Sequence, residues 1–380
     1  MSVVMSNHPI IECPELPSSE PTGVLKYIEV DPAGAPTGRS ATFVGVEFQP
    51  LRYADLLDKR LGDKVVIPLI WKDARVLEST IPEITVDEIA SGNSVLESVY
   101  STRAIGLVRG GWLPSWLAHR DNMVVLLDRC TVSELVSRFR GGEKTKDDDH
   151  DFLDFFQGER VRINPLLYAL EGNRRESPSP EFVEEQWEEA CRKIKAALPL
   201  AELTPDSKGG LQGVIGLLED TRDSMVRKER FLLRVAPCLQ APVSARRRQN
   251  LWSEVLTVAK ECGVPKKSLV VLAALSAVCS ANGASPAKRL LKPSASYTAQ
   301  DAYNALADLR SLEVLMNLFA VFPNERLMLC TGDKNLALFW AGMRASNFVW
   351  SNDHVSYTLS PVDALLPNVT PDLLKAFLDP

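Results

Sequence analysis

Met123-Val124-Val125-Leu126-Leu127-Asp128 decides how the rest of the chain is read. A short unbroken apolar run is what a strand covered on both faces of a parallel sheet looks like. Thr131 to Phe139 follows, with Val132, Leu135, Val136 and Phe139 at helical spacing. Asp128 therefore stands at a strand-to-helix turn, at the carboxyl end of a strand, where open α/β sheets bind their ligands. The same pattern returns near the C-terminus. Arg326-Leu327-Met328-Leu329-Cys330 reads as a second buried strand, Thr331-Gly332-Asp333 ends it, and Asn335 to Met343 starts the next helix.

Between these two strands, Leu166 to Leu170 leads into Glu171-Gly172-Asn173. Ser177-Pro178-Ser179-Pro180 caps a helix from Glu181 to Leu198, with Phe182, Trp187, Ile194 and Leu198 inward and Glu184, Glu185, Glu188 and Glu189 on its wet face. Helical patterns then run through Leu211–Leu218, Asp223–Val235, Leu251–Cys262 and Ser268–Ala281. They read as a helical insertion or lid over about residues 204–295. Ala302 to Phe319 is an amphipathic helix carrying Leu306, Leu309, Leu312, Leu315, Met316 and Phe319, and also Asp308. Upstream, Val24–Val30, Ala41–Phe48 and Lys64–Trp71 carry the β-branched and aromatic residues of strands. The sequence thus predicts an α/β protein: a flexible tail over 1–20, a small mixed or β-rich module over 21–118, an α/β domain over 119–350 with its insertion, and a C-terminal extension over 351–380.

Composition narrows the function. The 380 residues are 45% hydrophobic and 24% charged, as in an ordinary globular protein. A net charge of −6 excludes a protein that coats nucleic acid through a global positive field, so any such contact is local. Arg246-Arg247-Arg248 and the pair Arg138 and Arg140 are the basic patches available, and such runs are more often solvated surface. The acidic run Asp147-Asp148-Asp149 reads as a charged loop in the same way. Seven cysteines without a CxxC pair argue against a zinc site or a disulfide framework and fit a reducing cytoplasm. The N-terminus shows no basic-then-apolar secretory pattern, and the longest apolar run, Leu269 to Ala281, is shorter than the roughly 20 residues of a membrane span. No phosphate loop of GxxxxGK type, HExxH or GxSxG elbow is present.

What remains is acid. Four histidines without a metal-ligand pair, set against carboxylates at strand ends, point to hard oxygen ligands and hence to Mg²⁺ or Mn²⁺. The run Val124 to Asp128 with its following helix, Glu171 after a helical segment, Asp308 on a helix, and Leu329-Cys330-Thr331-Gly332-Asp333-Lys334-Asn335-Leu336 resemble a PIN-like nuclease domain over about Asn122 to Arg344. The resemblance implies a parallel sheet flanked by helices and a catalytic, metal-binding set of Asp128, Glu171, Asp308 and Asp333. It also implies endoribonuclease activity on RNA, of the kind found in toxins, defence effectors and RNA processing, and leaves a regulatory protein partner as an open candidate. Asp301, two turns before Asp308, competes for the third position. Thr331 matches the hydroxyl residue that often precedes the last acid, while Lys334 and Asn335 are candidates for phosphate contact or plain surface. The long gap between Glu171 and Asp308 departs from the family pattern.

Two alternatives stand beside this reading. A protein of the same fold without catalysis would use its surface for interaction. A phosphatase of the haloacid dehalogenase class would need a second aspartate two residues after Asp128, where Cys130 stands, and the residue four beyond Asp333 is Ala337.

Overall fold

The computed structural model describes residues 24–33, 35–120, 122–146, 149–171, 178–205, 207–280, 285–351 and 354–378. Asp147, Asp148, Gly172, Asn173 and Ser177, and the stretch read as a flexible tail, lie outside them.

The N-terminal region is β-rich. Strands β1 (Leu25–Val30), β2 (Pro36–Val44), β3 (Glu47–Phe48), β4 (Lys64–Ser79) and β5 (Ile89–Ser101) form an antiparallel sheet in which β4 pairs with β2, β3 and β5, and helix α1 (Tyr53–Leu57) interrupts it. Alternation along β4 divides its burial. Trp71, Ala74 and Val76 join Leu25, Tyr27, Phe43 and Ile84 in a small core of their own, whereas Val65, Ile67 and Leu69 belong to the main core of the protein.

The chain then enters a second sheet through β6 (Ile105–Val108), β7 (Gly111–Pro114), helix α2 (Ser115–Ala118), β8 (Val124–Leu127) and helix α3 (Arg129–Arg138). The hairpin β9 (Phe139–Arg140) and β10 (Glu143–Lys144) leads to a 3-10 turn at Phe152–Phe156, then to β11 (Arg162–Asn164), α4 (Leu166–Glu171), α5 (Pro180–Ala197) and β12 (Glu202–Leu203). Four helices follow: α6 (Ser207–Leu239), α7 (Ala245–Glu261), α8 (Leu269–Cys279) and α9 (Pro286–Leu291). After α10 (Ala299–Val321) come β13 (Leu327–Thr331), α11 (Lys334–Met343), the hairpin β14 (Ser346–Ser351) and β15 (His354–Thr358), and α12 (Pro371–Leu378).

The second sheet has six strands in the order β12-β11-β8-β13-β6-β7. The first four run parallel, and β6 and β7 are antiparallel additions on the β13 side. β8 and β13 lie beside each other at its centre, and every residue of both is buried, which accounts for their unbroken apolar runs. From β8 the chain moves outward through β11 to β12, then returns to the opposite side of β8 as β13. The strand order reverses between β8 and β13, which opens a crevice at their carboxyl ends.

Three boundaries differ from the sequence reading. The β6–β7 hairpin belongs to the six-stranded sheet and not to the N-terminal module, so that sheet is mixed and not wholly parallel. Its glycines hide it: a Cβ at Gly106 would lie 2.4 Å from the Met328 Sδ, and one at Gly111 would lie 2.1 Å from the Leu51 carbonyl oxygen. The two helices expected over 211–235 are one, α6, of 33 residues. The insertion is also not a simple lid. All eleven residues of α8 are buried, and it packs on α6, α7, α9 and α10, because a helix apolar all round has no face to offer water. The C-terminal extension begins inside the β14–β15 hairpin, and Phe377 on α12 is fully buried edge-on to Trp252 of α7, with ring centroids 6.5 Å apart.

Candidate active site

Asp128 and Asp333 occupy equivalent places at the crevice. Each follows a central strand and is the N-cap of the next helix. The Asp128 Oδ1 accepts the Thr131 N–H at 2.7 Å, and the Asp333 Oδ1 accepts the N–H groups of Asn335 at 2.7 Å and Leu336 at 3.2 Å. A helix N-terminus leaves donors without partners, and a carboxylate satisfies them while facing the positive end of the helix dipole.

Thr331 ties the two acids together. Thr331 is fully buried at the end of β13; its hydroxyl oxygen accepts the Asp333 N–H at 3.0 Å, and the hydroxyl lies close enough to the Asp128 carboxylate to lower its pKa. The Thr131 hydroxyl donates to the Cys330 carbonyl at 3.0 Å, which fastens the start of α3 to β13. Thr331 is therefore a brace between the strand-end acids.

Glu171 is the last residue of α4, and α10 holds it in place. The Tyr303 hydroxyl donates to the Glu171 carbonyl at 2.6 Å, and the Arg310 guanidinium donates to the Leu170 carbonyl. Two terminal carbonyls of α4 thereby gain partners from the helix that carries Asp308. Arg310 is 4% exposed, a charged residue within the apolar stripe Leu306-Leu309-Leu312. The Arg129 backbone at the start of α3 lies near enough to the Glu171 carboxylate to lower its pKa. The Arg129 guanidinium lies over the Tyr168 ring, 4.0 Å from its centroid, and donates to the Gln186 Oε1 at 2.7 Å.

All four acids named from the sequence line one cleft of about 550 Å³, counted with its open mouth, together with Cys130, Leu167, Leu170, Ala307, Arg310, Ser311 and Leu336. Each of the four is half-buried, and among the described residues none of them is in an ion pair. Asp301 is elsewhere in function: it closes a capping box with Thr298 at the start of α10, its carboxylate accepting the Thr298 N–H at 2.9 Å. Lys334 does not face the cleft either, since its ammonium donates to the carbonyls of Leu57, at 2.7 Å, and Lys59.

The acids act on one another electrically. The Asp308 carboxyl is pushed up to about 7, first by desolvation and then by the charges of Asp333, Glu171 and Asp128, against a small opposing pull from Lys292. Glu171 is raised to about 7 by desolvation and by Asp128, with Arg129 and Arg310 pulling it down. Desolvation raises Asp128 as well, and its bonds to Thr331 and Thr131 offset part of that. The Cys130 thiol, on the cleft wall, is pushed up to about 11 by desolvation and by repulsion from all four carboxylates. Sequence reasoning passed over Cys130, Arg129 and Arg310. The first two follow Asp128 directly, and an arginine amid the apolar stripe of a helix was the available signal for the third.

Repelling carboxylates without a histidine have the donor chemistry of a hard divalent cation. Among the described residues, however, no three His, Cys, Asp or Glu side chains are placed to hold one metal ion. The set therefore fits a hydrated Mg²⁺ or Mn²⁺ held by one or two carboxylates and its own waters, and does not fit an ion gripped by three protein ligands with the side chains as they stand. Comparison with known proteins found no matching family model, no matching curated protein and no matching solved structure.

Proposed function

We propose that the chain is a metal-dependent endoribonuclease of the PIN-like kind, with Asp128, Glu171, Asp308 and Asp333 as its metal-binding acids. One observation carries this reading: four carboxylates from four separate segments line one cleft at the carboxyl ends of the parallel strands β8 and β13, where the strand order of the mixed sheet reverses. Such a concentration of like charge costs folding energy, and relief by a cation accounts for its presence. The two N-capping acids each have one oxygen engaged by helix N–H groups. Thr331 keeps those two acids in register, and Arg310 and Tyr303 hold Glu171 on the opposite wall.

When bound, a divalent ion would supply a water of lowered pKa and neutralise phosphate charge at the scissile bond. Glu171 and Asp308, raised to about 7 in the metal-free protein, would release their protons on holding such an ion, so that metal and protons compete for these two acids close to neutral pH. The test is an assay on mixed RNA. Purified protein is incubated with labelled RNA and single-stranded DNA in Mn²⁺ or Mg²⁺, beside a chelator control and the Asp333→Asn variant. Metal-dependent cleavage of RNA that the variant loses is the expected outcome; cleavage of neither polymer with any metal rejects the reading.

The absence of a three-donor metal group among the described residues favours a second reading, in which the fold is kept for interaction without catalysis. Mn²⁺ binding separates the two. A scaffold without metal shows none, whereas the nuclease binds Mn²⁺ in competition with protons.

A further inference from the structure

A second hollow, of about 460 Å³ counted with its open mouth, lies within the N-terminal β-rich module and shares no residue with the cleft of the four acids. Phe43, Trp71, Val76 and Ile84 of the module's small core form its apolar wall, with the Phe43 and Trp71 ring centroids 6.3 Å apart and the rings inclined at 58°. Both rings sit at irregularities of the sheet. The pairing of β4 with β5 shifts register between Trp71 and Ala74, where Asp73 stands at φ 56°, and the pairing of β2 with β4 shifts between Thr42 and Phe43. Bulges of this kind re-aim side chains. Residues 80–88 supply the facing wall, tied down where the Val76 N–H donates to the Glu88 carbonyl at 3.0 Å and the Asp87 N–H to the Val76 carbonyl at 2.8 Å.

The Trp71 indole is the part of this wall that lacks a partner. Trp71 is 3% exposed, and its Nε1 has no hydrogen-bond acceptor among the described residues. Trp112 and Trp340, by contrast, donate to backbone carbonyls; Trp187 and Trp252 share the lack, but neither lines this hollow. Gly92 fixes where the donor stands. A Cβ on it would lie 2.4 Å from the Trp71 Cζ2 and 2.9 Å from Cε2, so this edge of the indole rests on Gly92, and Nε1, bonded to Cε2, is the next atom along it. Gly92 also lines the hollow, which places the unpaired donor in its wall. A buried N–H without an acceptor is costly, and an acceptor brought by a ligand removes that cost.

The mouth adds charge. Glu83 and Glu88 line the hollow and are exposed, no lysine or arginine lines it, and neither glutamate is in an ion pair among the described residues. Aromatic rings with carboxylates beside them are the chemistry that receives an organic ammonium ion. We propose that this hollow binds a small organic ammonium ion carrying an oxygen acceptor, with its apolar body against Phe43 and Trp71, its oxygen on the Trp71 Nε1 and its charge toward Glu83 and Glu88. The site stands apart from the four acids and from RNA as a substrate, and it gives the N-terminal module a ligand of its own.

Choline, a quaternary ammonium ion with one hydroxyl, is the probe, titrated into the full chain by isothermal calorimetry. A Kd of about 1 mM or below is expected. Dimethylbutanol, the neutral carbon isostere of choline, should bind at least about tenfold more weakly. Glu83→Gln with Glu88→Gln alters only exposed side chains and should weaken choline about fivefold. Trp71→Phe keeps an aromatic wall and deletes the donor; with its melting curve checked, it should weaken choline and leave tetramethylammonium, which has no oxygen, unaffected. Asp333→Asn should bind choline as the wild type does. Co-sedimentation with phosphatidylcholine vesicles that choline competes away identifies the cation as a lipid headgroup, and its absence, with choline bound, as a free ion. No binding of choline up to about 10 mM, equal affinity for the neutral isostere, or unchanged choline affinity in both the double glutamate variant and Trp71→Phe overturns the proposal.

Discussion

In Asp128 and Asp333 one carboxylate oxygen is committed to a helix N-terminus, and this makes the charge of each separable from its structural role. Asn caps helices about as well as Asp. Asp128→Asn should therefore abolish cleavage with a stability change below about 1 kcal/mol by urea unfolding, and a variant that unfolds instead would show that the acid is there for the fold. Thr331→Val removes the hydroxyl that braces both acids. Leaving a buried partner unsatisfied costs about 1–3 kcal/mol, and reduced cleavage should accompany that loss.

Asp308 and Glu171 predict a pH dependence. Their ordinary values are 3.8 and 4.5, and both are raised to about 7 in the folded protein. A raised carboxyl binds its proton more tightly when folded. The stability it contributes is complete below the ordinary carboxylate range and is lost as pH rises through about 7. Asp308→Asn should accordingly raise the melting temperature above neutral pH, and the gain should vanish in acid. Mn²⁺ should stabilise the wild type more above neutrality than in acid, for the same reason. Melting curves with equal gains at both ends of the pH range would contradict the mutual repulsion of these groups.

At the scale of elements, Val124–Leu127 and Leu327–Thr331 were legible because a strand buried on both faces is an apolar run with a sharp end. Both N-capping acids were legible with them. The β6–β7 hairpin was not, since Gly106, Gly110, Gly111 and Pro114 read as turn residues, and only contact with Met328 and Leu51 explains why strands need them. Local pattern also could not choose between Asp301 and Asp308, which lie on much the same helix face. The capping box with Thr298 removes Asp301 from contention, and that pairing was present in the sequence as Thr-x-x-Asp. The α4–α10 contact has its own test. Tyr303→Phe deletes the donor to the Glu171 carbonyl and should cost about 0.5–1.5 kcal/mol while lowering kcat more than it raises KM, because Glu171 is displaced and no RNA contact is removed.

For the whole molecule, the helical insertion and the C-terminal helix are parts of one core with the six-stranded sheet. No helix among the described residues is long and apolar enough to cross a membrane. Phe377 packs edge-on to Trp252, far along the chain from the acids, so Phe377→Ala should cost about 3–5 kcal/mol on thermal or urea unfolding. An effect below about 1 kcal/mol would mean that α12 is an appendage and not part of the core.

Four acids from separate segments are proposed to work as one metal-dependent site for cutting RNA. This is tested most directly by measuring cleavage of a labelled RNA in Mn²⁺ by the wild type and by Asp128→Asn, Glu171→Gln, Asp308→Asn and Asp333→Asn, each checked for folding. Cleavage that chelator stops, and that every one of the four substitutions abolishes or cuts by orders of magnitude, is the expected result. Full activity in chelator, or in the Asp128 and Asp333 variants, would contradict it.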